Sequence, residues 1–171
     1  MIIPYTKLMG TPVFEMKTQT KAGYVMDIII KKSDISIYGL VVRTSILPFA
    51  KMKVITETDI LEIGHDGVII QDEDAITNFD DSVRLKEAYH HKLHGINQHV
   101  RSKSGKNLGK VFDYLVRATD LSITKIYVKS LVSERIIPTS AITKIEGKHI
   151  TVNNDYDTLD VKTSAIEAEM V

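Results

Sequence analysis

The sequence predicts an all-β protein made of two tandem small β-barrels joined by a short helical or irregular linker. Two observations carry this reading. The first is an internal repeat: Gly23, Val25, Asp27, Asp34, Ser36, Ile37 and Val42 recur 86 residues later as Gly109, Val111, Asp113, Asp120, Ser122, Ile123 and Val128. A second block repeats at a spacing of 82, with Val54-Ile55, Ile60 and Ile63 matched by Ile136-Ile137, Ile142 and Ile145. The second observation is that each copy consists of short β-branched runs separated by polar turns, the pattern of closely spaced strands in a small barrel. Self-similarity at a fixed period marks a repeated structural unit.

The strands follow in order. Tyr24 to Lys32 and Ile37 to Thr44 flank a polar turn at Ser33-Asp34 and read as a hairpin; residues 110–117 and 123–129 repeat it around Ala118-Thr119-Asp120-Leu121-Ser122. Gly23 and Gly109 precede the first run of each hairpin. The approach to Gly109 contains Gly105, where the first copy has Gln19, so a turn that needs positive φ at that place is expected to take another geometry in the first copy. The change of spacing from 86 to 82 places four extra residues of the first copy within Ser45–Lys53, as a surface loop tolerates. That loop contains Leu47, Pro48 and Phe49, apolar side chains that need cover, and they are the expected interaction element. Ile60 to Ile70 reads as a strand, a turn and a strand, with Asp66-Gly67 as its turn dipeptide, and Ile142 to Val152 has the same shape. Residues 76–88 allow a short helix too short to stand without packing. Leu159-Asp160-Val161 reads as a further strand. The domains expected are 1–80, a linker at 81–94, and 95–171.

Composition narrows the chemistry. There is no cysteine, which excludes disulfides, thiolate catalysis and cysteine-ligated metals and suits a cytoplasmic protein. No apolar stretch reaches the length of a membrane span and the N-terminus does not read as a signal peptide. The 22 acidic and 22 basic residues divide almost evenly, 12 and 10 in residues 1–86 against 10 and 12 in 87–171, which makes nucleic-acid binding the weaker expectation. Arg101, Lys103, Lys106 and Lys110 form a local basic cluster, read first as a solvated hairpin surface.

The units resemble the PRC-barrel family, named for the cytoplasmic domain of the photosynthetic reaction-centre H subunit and related to the barrel of a ribosome-maturation factor. The resemblance rests on Gly109-Lys110-Val111-Phe112-Asp113 entering the hairpin, and on Ile136-Ile137-Pro138-Thr139-Ser140-Ala141-Ile142 before the last strand pair. Gly23-Tyr24-Val25-Met26-Asp27 and Val54-Ile55-Thr56-Glu57-Thr58-Asp59-Ile60 are the first-copy counterparts. There Thr56 stands where the second copy has Pro138, which questions the rigidity of its fourth-strand entry more than the fold. The resemblance implies a binding or assembly module, with no family-wide catalytic set to transfer.

The candidate chemistry is sparse. Asp27 and Asp113 recur inside apolar runs, which favours a structural role over an acid–base pair. His90, His91 and His94 have helical spacing suited to a metal, without the Glu of an HExxH motif, and read as a polar linker. His65 and His149 read as water-exposed turn or strand residues. Lys103-Ser104-Gly105-Lys106 lacks P-loop spacing. The expectation is a protein without catalytic residues, cofactor or metal that acts as a protein-interaction or scaffold module, through an unidentified protein partner or self-association. RNA or ribosome assembly and an enzyme with an interdomain pocket are the alternatives.

Overall fold

The structure, a computed structural model, describes residues 1–45, 51–81, 83–90 and 96–154. It is mostly β. The strands are β1 (Ile2–Pro4), β2 (Pro12–Glu15), β3 (Lys21–Lys31), β4 (Ser36–Arg43), β5 (Lys53–Thr56), β6 (Ile60–Ile63), β7 (Val68–Ile70), β8 (Thr77–Asn78), β9 (His99–Ser102), β10 (Asn107–Arg117), β11 (Ile123–Lys129), β12 (Glu134–Pro138), β13 (Ile142–Glu146) and β14 (His149–Val152). Two short helices, α1 (Tyr5–Leu8) and α2 (Val83–His90), complete the described elements with a few 3-10 turns.

The described strands form two sheets of similar strand order. One sheet runs β6-β7-β2-β3-β4-β5-β8 and the other β13-β14-β9-β10-β11-β12, with β1 added beside β10. Apart from β8 and β1 the strand order is the same. Within that shared order the antiparallel neighbours are chain neighbours, and one parallel ladder joins β2 with β7 and β9 with β14. Main-chain bonds outside the ladders also recur. Gly10 N donates to Val25 O as Asn97 N does to Val111 O, and Met16 N donates to Ile70 O as Lys103 N does to Val152 O.

Two compact units result, and neither is one continuous segment. The C-terminal unit is Met1–Thr6, Ile96–Arg117 and Ser122–Val171; the N-terminal unit is Lys7–Gly95 with Ala118–Leu121. A division at 1–80, 81–94 and 95–171 has no place for this. Met1–Thr6 joins the C-terminal unit because β1 pairs with β10, Ile3 opposite Val116. Residues of the expected linker join the N-terminal unit because α2 buries Leu85 among Ile29, Val41 and Val54. Ile28, Ile29 and Ile30 are all buried, and three consecutive buried strand residues need cover on both faces of a sheet. Leu85 supplies part of that cover on the Ile29 side, which is how so short a helix persists.

The two expected departures of the first copy turn out differently. Gln19 adopts φ 56° where Gly105 has φ 89°, so the turn keeps its left-handed residue without a glycine. The turn around it is nevertheless one residue longer: Gln19 N donates to Glu15 O, four residues back, at 2.9 Å, whereas Gly105 N donates to Ser102 O, three back, at 3.0 Å. Thr56 takes φ −77°, ψ 160° and Pro138 φ −68°, ψ 143°, each leading into a 3-10 turn. The Thr56 hydroxyl bonds the side chains of Thr58 and Asp59, which hold the exit that the proline ring fixes in the second copy.

Gly109 explains the repeated glycine. Its φ is 122°, and a Cβ there lies 2.3 Å from the backbone oxygen of Lys129 on β11. At Gly23 the corresponding atom lies 2.7 Å from Arg43 O. Gly105 has open space around it. Gly109→Ala is therefore expected to lower unfolding free energy by more than ~2 kcal/mol, and Gly105→Ala by only ~1 kcal/mol. Chemical denaturation of the two variants checks the order.

Candidate functional site

Asp27 and Asp113 each sit just past a break in register. The β3–β4 ladder shifts between Val25 and Asp27, and the β10–β11 ladder between Val111 and Asp113. At such a bulge one residue is left out of the ladder and its neighbours need other hydrogen-bond partners. The aspartate supplies one, because its Oδ1 accepts the next backbone N–H at 2.8 Å, from Ile28 in one copy and Tyr114 in the other. Asp113 also accepts from Thr6 N at 3.1 Å and Thr6 Oγ1 at 2.6 Å. It thereby fastens the end of the N-terminal segment inside the C-terminal unit, where Tyr5 meets Tyr114 edge-on at 5.9 Å. Tyr114 in turn donates its hydroxyl to the buried Gln98 Oε1 at 2.6 Å.

In the N-terminal unit a cleft of about 490 Å³ opens between the β5 entry and α2. Met52, Phe79 and Tyr89 give it apolar walls, with Lys51, Lys86 and Asp80 among its polar lining. Phe79 and Tyr89 pack edge-to-face at 4.9 Å, and Met52 is about half exposed at 49 %. Burial and the charge of Asp27 raise the Tyr89 phenol above its ordinary range, so Tyr89 stays neutral in the cleft at neutral pH. Lys86 bonds Asp80 at 2.8 Å, which holds that carboxyl below its usual range. Glu15, Glu73, Asp74 and Asp81 contribute to a second cleft, yet among the described residues no three His, Asp or Glu side chains are grouped to hold a metal.

The C-terminal unit presents different chemistry. Its described residues include ten Lys and Arg against three Asp and Glu, whereas the described N-terminal unit has ten against fourteen. Counting by halves of the chain hides this difference, because residues 155–171 carry five acidic side chains and one basic one. The unit boundary is the signal that sequence reasoning missed. Much of the positive charge lies on the outward face of the sheet. Glu146, His149, His99, Lys110 and Lys129 are successive cross-strand partners from β13 to β11, and Lys144, Thr151, Arg101 and Asn107 form the adjacent row. The His99 and His149 rings are 5.5 Å apart. Glu146 is held below its usual range by its hydrogen bond from Lys144, which with the charges of Lys144, Arg101 and His149 outweighs the opposing effect of desolvation.

His65 lies exposed in the β6–β7 turn, and His149 is exposed on β14. Lys103-Ser104-Gly105-Lys106 forms the β9–β10 turn, with Ser102 N bonded to Lys106 O at 2.9 Å. Pro138 ends β12 and is exposed. Leu47, Pro48 and Phe49 lie outside the described residues, as do His91, His94, the His90 side chain and Leu159–Val161. Among the described residues no helix is long and apolar enough to cross a membrane. No protein-family model matches the chain, and no curated protein matches it.

Asp113→Ala removes the acceptor of three bonds at once and is expected to cost about 1–3 kcal/mol. It also releases Met1–Thr6, so amide hydrogen exchange at Ile2–Thr6 rises in the variant. Unchanged exchange there contradicts the anchoring role.

Proposed function

We propose that this chain is a tandem barrel protein of the PRC type that works as a non-catalytic protein-interaction or scaffold module. The repeated strand order, the repeated bulge with its aspartate and the repeated 3-10 turn support the assignment of both sheets to one domain type. The observation that carries the interaction role is the cleft at Met52, Phe79 and Tyr89. Aromatic and methionine side chains in a partly open cleft are the kind that anchor protein interfaces, because a partner gains apolar burial there and little polar group is stranded. The charged pair of Lys86 and Asp80 provides a polar rim. The Asp27 and Asp113 carboxylates are engaged with backbone donors, which favours fold maintenance over acid–base chemistry. Absence of cysteine suits a cytoplasmic setting.

RNA or ribosome assembly is the second reading, and the excess of positive charge among the described residues of the C-terminal unit is the observation that favours it.

Capture of proteins by the purified chain tests the first reading. A reproducible partner retained by the native chain and lost with Met52→Asp is the expected result. Light scattering over a concentration series covers the case in which that partner is a second copy. Met52 is half exposed, so the variant is expected to keep its unfolding midpoint, and a matched midpoint separates lost binding from lost fold. A partner held equally by both proteins removes the cleft from the proposal, and neither a partner nor self-association removes the interaction role.

A further inference from the structure

The β11–β12 hairpin ends in an apolar tip. Leu131 is fully exposed and Val132 is 93 % exposed, the two most exposed large hydrophobic side chains among the described residues. They are held out by a closed turn: Ser130 N donates to Ser133 O at 2.8 Å and the two serine hydroxyls bond at 2.8 Å. The hairpin below them is joined by Lys129 and Glu134 at 2.9 Å. A turn closed by its own serines that holds two aliphatic side chains in water presents them to something apolar.

The cross-strand row of His99, Lys110 and Lys129 leads directly to this tip, because Lys129 is the last residue of β11. Arg101 lies in the adjacent row. Two independent features therefore meet at one end of the C-terminal unit: a protruding aliphatic pair and a basic outer face. We propose that this end docks on an anionic lipid bilayer, with Leu131 and Val132 entering the acyl boundary and Lys110, Lys129 and Arg101 facing the headgroups. Each part has a reason. An inserted aliphatic side chain gains burial that neither a nucleic-acid backbone nor bulk water offers, and basic side chains near an anionic leaflet gain electrostatic attraction. The combination of a short apolar anchor with a basic surface is the two-signal logic of reversible membrane attachment. RNA makes use of the charge but leaves the tip without a role.

The test is co-sedimentation of the full chain with large unilamellar vesicles at pH 7 and 0.1 M salt. Vesicles of phosphatidylcholine with 30 % phosphatidylserine are expected to retain it, and pure phosphatidylcholine is not. Leu131→Ser with Val132→Ser is expected to weaken partition at least tenfold, and Arg101→Gln with Lys110→Gln about thirtyfold, all four positions being exposed and so tolerant of change. A structured RNA oligonucleotide forms the competing arm. No preference for anionic vesicles overturns the proposal, as does binding to them that the tip variant leaves intact. RNA binding that is equal in native and tip-variant chains, in the absence of vesicle binding, assigns the basic face to nucleic acid instead.

Discussion

In each unit one parallel ladder, β2 with β7 or β9 with β14, brings the last hairpin back to the first strand. Apart from β1 beside β10 and β8 beside β5, the rest of the described sheets is a chain of antiparallel neighbours that local turns can arrange. The parallel contact closes the strand order that the two sheets share, and it spans about fifty residues, so its entropic cost is met only when the intervening strands are already paired. The glycine near the start of each long strand, the bulge with its aspartate and the 3-10 turn before the last hairpin all serve that path. They let one strand pass close to the next, bend, and turn back.

The same ladder decides where the chemistry falls. By setting His149 opposite His99 and Thr151 opposite Arg101, it joins two segments of separate basic character into one outward surface. The N-terminal unit uses the equivalent ladder with Val13, Phe14 and Glu15 beside Val68, Ile69 and Ile70, and so no basic row arises there. Its distinctive feature lies elsewhere, where α2 covers Ile29 with Leu85 and leaves Phe79 and Tyr89 beside Met52. One architecture thus carries two surfaces of different kind, because the side chains outside the repeated framework are free to differ.

Much of the strand pattern was legible in the sequence, the hairpins from their β-branched runs and the recurrence of Gly23 as Gly109 and of Asp27 as Asp113 from the spacing. The substitutions within the repeat were harder to read. At Gln19 the left-handed backbone is kept but the turn is one residue longer, and at Thr56 side-chain bonds hold the φ that a proline ring would fix. Neither compensation has a residue-type signature. The placement of Met1–Thr6 with the C-terminal unit was hidden for a related reason: Ile2-Ile3-Pro4 carries no mark of its distant partner strand. The basic surface was hidden by arithmetic, since the acidic residues after 154 cancel it in any count that follows chain order.

Because the chain has no cysteine, the closure can be examined with a single introduced pair. His99→Cys with His149→Cys, treated with a short bifunctional thiol reagent in dilute solution, should give an intramolecular crosslink in high yield, with His99→Cys and Lys125→Cys as the unlinked control. Efficient linkage of the first pair alone is the result the parallel register predicts. A crosslink that fails at 99 and 149, or that forms equally well in the control, contradicts the closure and with it the basic surface built on it.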